Sequence, residues 1–255
     1  MIFYNRFIML VRKYVGETTK EFADRIRCEK GIADDVKVAI CGKLDPQACG
    51  VTKVLFGEDT KMMPKYLQSN KTYEFFIALG ISTDSDDIMG RITNIDTSVK
   101  NNIESIKSFM NTCIINQTTQ KYHPISAKKI NKGPGKKRPL WYWHKKGILE
   151  ESDLPSKPVK VISLRQTTDI IELNYTGYLD MVKYRLNSIT DKERFNIKEI
   201  TSGWDGVSME KVILIPYEIK VSSGFYVRMI SKEIRDNLNL PVHIFGINRL
   251  KVERI

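Results

Sequence analysis

An α+β fold is the expectation for this chain, and three observations carry it. Segments with period-two alternation, such as Lys71–Leu79, read as half-buried strands. Segments with apolar residues three and four apart, such as Ile230, Ile234 and Leu238, read as amphipathic helices. No internal repeat or low-complexity tract offers a competing architecture. At 255 residues the chain is long enough to bury a substantial core. Its 42% hydrophobic and 28% charged residues suit a soluble globular protein.

In chain order, residues 7–11 read as a short strand. Thr18-Thr19-Lys20-Glu21 has capping-box spacing, and Phe22, Ala23 and Ile26 give the following helix an apolar face that should end near Gly31. Val36, Val38 and Ile40 alternate with Lys37 and Ala39, a strand that runs into a glycine-flanked turn; residues 51–56 are apolar again. On Lys71–Leu79, Tyr73, Phe75, Ile77 and Leu79 share one face. Val99, Ile103, Ile106 and Met110 mark one face of a helix. Residues 159–164, 170–174, 211–215 and 218–221 read as strands, with a mixed-charge stretch over 175–210. A helix carrying Ile230, Ile234 and Leu238 follows, then an apolar strand over 241–250.

Charge narrows the class of partner. The net charge is +11, and from Ser105 to Leu149 there is no Asp or Glu. Lys107, Lys121, Lys128, Lys129, Lys132, Lys136, Lys137, Arg138, Lys145 and Lys146 all fall inside that window, which favours a nucleic-acid face. Trp141, Tyr142 and Trp143 lie within it and offer planes on which unpaired bases can stack. The four cysteines, Cys28, Cys41, Cys49 and Cys113, form no CxxC pair, so reduced thiols in a cytoplasmic or other intracellular compartment, the nucleus included, are expected. Cys41 and Cys49 have no nearby His to complete a zinc site, and Asp84, Asp86 and Asp87 lack EF-hand spacing, so no metal is expected. No apolar run has the length of a membrane span, and the opening residues lack a secretory cleavage site, so no membrane partner is expected.

The most informative stretch is Gly42-Lys43-Leu44-Asp45-Pro46-Gln47-Ala48-Cys49-Gly50. Pro46 restricts the backbone of Asp45, and the glycines permit tight turns or close approach by another backbone. A carboxylate placed just after a strand is fixed better than one on a free loop. This stretch resembles the catalytic motif of the TruB family of pseudouridine synthases. Further similar pieces follow in order. Lys13-Tyr14-Val15-Gly16-Glu17-Thr18-Thr19 is similar to the family's Lys-Pro-x-Gly-x-Thr-Ser, with Tyr14 in place of proline. Gly57-Glu58-Asp59-Thr60-Lys61 is similar to Gly-Glu-x-Thr-Lys. Lys71-Thr72-Tyr73 is similar to Lys-x-Tyr, and the loop from Leu79 through Asp87 to Leu-Gly-x-x-Thr-Asp-Thr-x-Asp. Ser126-Ala127-Lys128-Lys129 is similar to part of Tyr-Ser-Ala-x-Lys. Gly224-Phe225-Tyr226-Val227-Arg228 is similar to Gly-x-Tyr-x-Arg, and His243 through Arg249 to His-x-x-x-Leu-x-Arg.

The resemblance implies a mixed, mostly antiparallel central sheet flanked by helices, with the active-site cleft across it. It implies one catalytic domain over residues 1–255, an insert at about 175–210 that elaborates one edge, and no C-terminal PUA domain. The implied activity is isomerisation of a uridine, position 55 in the T-loop of tRNA, to pseudouridine, without a cofactor. Asp45 is the implied nucleophile, attacking sugar or base or removing a ribose proton, and Arg228 its paired cation. Tyr73 and Ile247 would sandwich the uracil, Tyr226 would position it by its hydroxyl, and Asp87 would hold polar groups near it. Ile40 stands where bacterial members carry a histidine that helps hold the flipped nucleotide. Lys13, Lys43, Lys128, Lys129, Lys136, Lys137 and Arg138 would neutralise phosphates of the tRNA T-arm. A monomer is expected. Two other readings stay open: a non-catalytic RNA-binding or remodelling protein on the same scaffold, and the modifying subunit of a guide-RNA particle.

Overall fold

The computed structural model describes residues 8–98, 102–133 and 135–253. Phe7 and Val99, assigned above to a strand and a helix face, lie outside them. The elements in order are β1 (Ile8–Lys13), α1 (Thr19–Lys30), β2 (Val38–Cys41), β3 (Cys49–Phe56), α2 (Met63–Leu67), β4 (Lys71–Leu79), β5 (Ile81–Thr83), β6 (Ile92–Ile95), α3 (Ile103–Phe109), β7 (Thr119–Lys121), β8 (Lys129–Ile130), β9 (Arg138–Pro139), α4 (Leu140–Lys145), β10 (Ser156–Pro158), β11 (Val161–Gln166), β12 (Ile171–Asn174), α5 (Tyr175–Asn187), α6 (Ile197–Asp205), β13 (Lys211–Val221), α7 (Met229–Leu238) and β14 (Val242–Val252).

Alternation along β4 decides the layers. Its Tyr73, Phe75, Ile77 and Leu79 point to one face of the sheet, where they meet Ile106, Phe109 and Met110 from α3 and its π-helical extension and Ile230 and Ile234 of α7. Phe76 and Ala78 point to the other, where they meet Tyr178, Val182 and Leu186 of α5 and Trp204 of α6. The central sheet runs β1-β3-β14-β4-β13-β11, with β2 also on β3 and β12 also on β13. Every pairing in it is antiparallel except β14 with β3, which is the mixed, mostly antiparallel sheet expected. No helix among the described residues is long and apolar enough to cross a membrane.

The helix-start signal at Thr18 is realised in full. Thr18 Oγ1 accepts from Glu21 N, the Glu21 carboxylate accepts from Thr18 N, and Gly31 closes α1 in the left-handed region. Two expectations change. The strands expected at 211–215 and 218–221 are one continuous strand through Pro216. Proline is tolerated because Pro216 O accepts from Thr167 N in the β11–β12 loop. The side of β13 that lacks a donor therefore faces a gap in the ladder. Residues 175–210, expected at an edge, instead form the α5–α6 layer over the middle of the sheet, with Tyr178, Val182, Leu186 and Trp204 fully buried.

Candidate active site

The turn between β2 and β3 carries Asp45, and its shape is set by backbone and side-chain donors that hold its carbonyls. Ala48 N donates to Asp45 O at 3.0 Å, and Gly16 N donates to Pro46 O at 2.9 Å. Lys13 Nζ donates to Pro46 O (3.2 Å), Ala48 O (2.8 Å) and Tyr14 O (3.0 Å). This corrects the assignment of Lys13 to RNA. It is buried, its charge is spent on backbone oxygens, and burial pulls its pKa down to about 8. At Gly50 the chain crosses β14 so closely that a Cβ would sit 2.3 Å from Arg249 O, with φ at +121°. Only glycine fits there.

Arg228, at the start of α7, reaches Asp45 from the far end of the sequence. Its Nε donates to Asp45 Oδ2 at 2.8 Å and its Nη1 to Ser85 O at 2.8 Å; Nη2 approaches Ile125 O at 3.4 Å. The guanidinium, not the carboxylate, is the buried partner: the Arg228 side chain is 6% exposed and that of Asp45 39%. Asp45 is open to an incoming molecule, and the field that holds it comes from beneath. Burial opposes the Arg228 charge, but Asp45 and Asp87 outweigh it and raise its pKa.

Asp87 lies behind this pair. Its Oδ2 is 3.5 Å from Arg228 Nε, while Ser85 Oγ (2.6 Å) and Met89 N (2.9 Å) donate to its Oδ1. It is 2% exposed, so it acts from behind the pair, holding Arg228 rather than facing an incoming molecule. Burial raises its pKa, Arg228 works the other way, and Asp45 adds to the rise.

A second buried network, absent from the sequence reading, surrounds Asp86. His123 Nε2 donates to Asp86 Oδ2 at 3.0 Å, and Arg235 Nη1 donates to Asp86 Oδ1 at 2.5 Å. His123 Nδ1 accepts from Ile125 N, so the ring is held neutral with its proton on Nε2. Burial disfavours charge at Asp86, yet the bonds from His123 and Arg235 prevail and lower its pKa. The network ties the 123–126 segment, the acidic loop and α7 together around Arg228. Arg235 could have been found from the spacing of seven residues that puts it on the Arg228 face of the helix. His123 carries no such signal.

Tyr73, Ala48 and Ile247 belong to one apolar cluster, and Leu44, the residue before Asp45, packs against it. Tyr226 precedes α7 by a turn; its backbone N donates to Gln120 Oε1 (2.7 Å) and its O accepts from Gln120 Nε2 (3.2 Å). Burial, and then the nearby Asp45, push its phenol up to about 12, so it stays protonated and able to donate. Lys157 Nζ lies 4.0 Å from the centroid of the Tyr226 ring and 4.4 Å from that of Tyr122, packing the ring in place. Ile40 is not brought to this place. Its side chain packs with Phe22, Ile26, Val54 and Phe56 under α1, on account of the alternation along β2.

Lys43, Lys128, Lys129, Lys136, Lys137 and Arg138 are exposed. Arg138 lies 5.5 Å and Lys146 5.0 Å from the centroid of the Tyr142 ring, and Trp141 is an exposed aromatic beside them. The one-sided charge of this segment is partly offset in space, since Lys121 pairs with Glu151 and Lys132 with Asp153.

Comparison with known proteins bears on the same residues. The family model described as "TruB family pseudouridylate synthase (N terminal domain)" matches residues 30–175, which include Asp45, Tyr73 and Asp87. A tRNA pseudouridine synthase B of Streptococcus mutans is 29% identical over 167 residues, covering 64% of this chain and 53% of that protein. Its namesake from Mycoplasma mobile is 28% identical over 247 residues (97% of this chain, 69% of that protein). The one from Caldanaerobacter subterraneus is 29% identical over 247 residues (96% and 68%). The chain thus spans from about half to seven tenths of the length of these relatives.

Proposed function

The chain belongs to the TruB family of pseudouridylate synthases, and from that premise we propose that it isomerises a uridine of tRNA to pseudouridine. The relatives that share most of its length carry the name tRNA pseudouridine synthase B. The reaction breaks the bond from ribose C1′ to uracil N1, turns the base, and joins C1′ to C5. The proton on C5 is released and N1 takes one up. No electron is gained or lost overall, so the chain's own side chains suffice for the proposal.

The observation that carries the proposal is the Asp45–Arg228 pair at 2.8 Å, with its cation buried and its carboxylate exposed. Arg228 aims Asp45 outward, and the fixed charge needs no reorganisation during the reaction. Asp45 serves as nucleophile toward sugar or base, or removes a ribose proton. Tyr73 and Ile247 bracket the uracil, and Tyr226 donates its hydroxyl to it. The target must leave its stack to reach Asp45, which favours a splayed loop nucleotide such as the T-loop uridine at position 55 of tRNA. The exposed Lys128, Lys129, Lys136, Lys137 and Arg138 take the phosphates of the T-arm, with Lys43 at the site's edge. The chain acts as a monomer, in an intracellular compartment that keeps Cys28, Cys41, Cys49 and Cys113 reduced.

The test is incubation of the purified chain with an unmodified tRNA transcript, followed by mapping of the modified position. Pseudouridine in the T-loop, formed without any guide RNA, is expected. Binding without product would leave only an RNA-binding protein, and a requirement for a guide RNA would place the chain in a particle.

A further inference from the structure

The layer formed by residues 175–210 reaches the back of the Asp45 turn. Helix α5 is seated on β14 by Tyr178, whose hydroxyl donates to His243 Nε2 at 2.5 Å, and by the buried Val182 and Leu186. From this seat Arg185 extends under the turn. Its Nη1 donates to Gln47 O at 3.2 Å, its guanidinium carbon lies 4.9 Å from the centroid of Phe245, and its Nη2 is 3.4 Å from where a Cβ on Gly246 would stand. Gln47 is two residues past Asp45, and Gly246 is one before Ile247. One side chain therefore touches both the turn that carries the carboxylate and the stretch of β14 between Phe245 and Asn248, where the register with β4 shifts and Ile247 sits.

The helix end adds two further contacts. Ser188 O lies against Gly16, where a Cβ would come within 2.0 Å of it, and Gly16 N in turn donates to Pro46 O. Thr190 Oγ1 donates to the Glu21 carboxylate at the start of α1. Arg185 itself makes no ion pair among the described residues. A mostly buried guanidinium without a carboxylate is costly, and an aliphatic side chain would fill the same volume more cheaply. What the guanidinium adds is a directed bond to the turn.

Resting on the synthase reading above, we infer that α5 braces the Asp45 turn from behind, and that Arg185 is a positioning residue for the isomerisation. Lys13 holds the carbonyls of Pro46 and Ala48, Arg185 holds the one between them, and so three successive peptide groups after Asp45 are fixed by cations from two different layers. A carboxylate that must meet one carbon atom depends on this, because displacements well under an ångström alter reactivity.

The experiment compares wild type, Arg185→Met and Arg185→Lys on one tRNA transcript. Single-turnover rate, RNA affinity and amide hydrogen exchange over residues 44–50 are read for each. Arg185→Met keeps the packing on Phe245 and loses the bond. It should slow the rate about tenfold, leave RNA affinity within about twofold, and speed exchange in the turn; Arg185→Lys should recover part of the rate, to about threefold below wild type. An unchanged rate and unchanged exchange in Arg185→Met would overturn the inference, as would a rate loss explained wholly by weaker RNA binding. If Arg185→Met fails to fold, Arg185→Lys decides, with a rate about threefold below wild type expected and an equal rate refuting. If wild type makes no pseudouridine, the synthase reading falls, and hydrogen exchange alone decides whether the brace exists.

Discussion

Replacing Arg228 by Met removes the cation under Asp45 while keeping most of the side-chain volume. Arg228 gives Nε to Asp45 Oδ2 at 2.8 Å and Nη1 to Ser85 O at 2.8 Å, and stands 3.5 Å from Asp87 Oδ2. A contact ion pair in an effective dielectric of about 20 is worth roughly 4 kcal/mol. With the Asp45 side chain 39% exposed, solvent screens about half of that. The remaining ~2 kcal/mol, with the lost aim of the carboxylate, amounts to about a hundredfold in rate. Arg228→Lys keeps the charge but cannot reach Asp45 and Ser85 O together, so about tenfold is expected.

Stability changes too, and its pH dependence identifies the cause. Asp87 is buried and its pKa is already raised, and without Arg228 it rises further. A carboxyl whose folded pKa is raised contributes stability at low pH that is lost as pH climbs through the folded value. Arg228→Met should therefore be less stable than wild type by about 2–3 kcal/mol at pH 7.5, with the deficit shrinking toward pH 5. Tritium release from uridine-labelled tRNA reads the rate, and urea unfolding at the two pH values reads the stability. Turnover within threefold of wild type, or a deficit that grows in acid, would refute the reasoning.

Lys13→Met should cost about 2 kcal/mol in urea unfolding, because carbonyls of Tyr14, Pro46 and Ala48 lose a donor in a buried place. Changing Lys136, Lys137 and Arg138 together to Ala should lower tRNA affinity and reduce the slope of log affinity against log salt by about two; an unchanged slope would remove this segment from the interface. His243 is fully buried, accepts from Tyr178 and bonds Ile81 O, and burial depresses its pKa to about 4. The unfolded chain binds that proton first, so stability should fall by up to roughly 3 kcal/mol as pH drops from 6.5 to 4. His243→Gln should show a correspondingly weaker acid dependence in urea midpoints.

Local pattern carried much of the fold. The alternation on β4 sorts its side chains between two helical layers, and the Thr18–Glu21 box starts α1 where its hydrogen bonds demand. Asp45 and Arg228 were legible because each sits in a short, chemically pointed motif. What was not legible depends on contacts between distant segments. A lysine reads the same whether it faces phosphate or carbonyl oxygen, and Lys13 turned out to serve the second. Asp86, His123 and Arg235 come from three segments and become a network only when folded. Ile40 occupies the motif's expected position, yet its strand turns it toward α1. The α5–α6 layer lacked a matching motif, so its packing over the sheet and its reach to Gln47 O were not foreseeable from composition.

The central claim is that the half-exposed carboxylate of Asp45, held from beneath by Arg228, performs the isomerisation. Tritium release from uridine-labelled tRNA by Asp45→Asn, a change of one atom that preserves the side-chain shape, tests it most directly. Release indistinguishable from the no-enzyme blank is predicted, with the fold retained and RNA affinity close to wild type. Steady turnover by that variant would contradict the account.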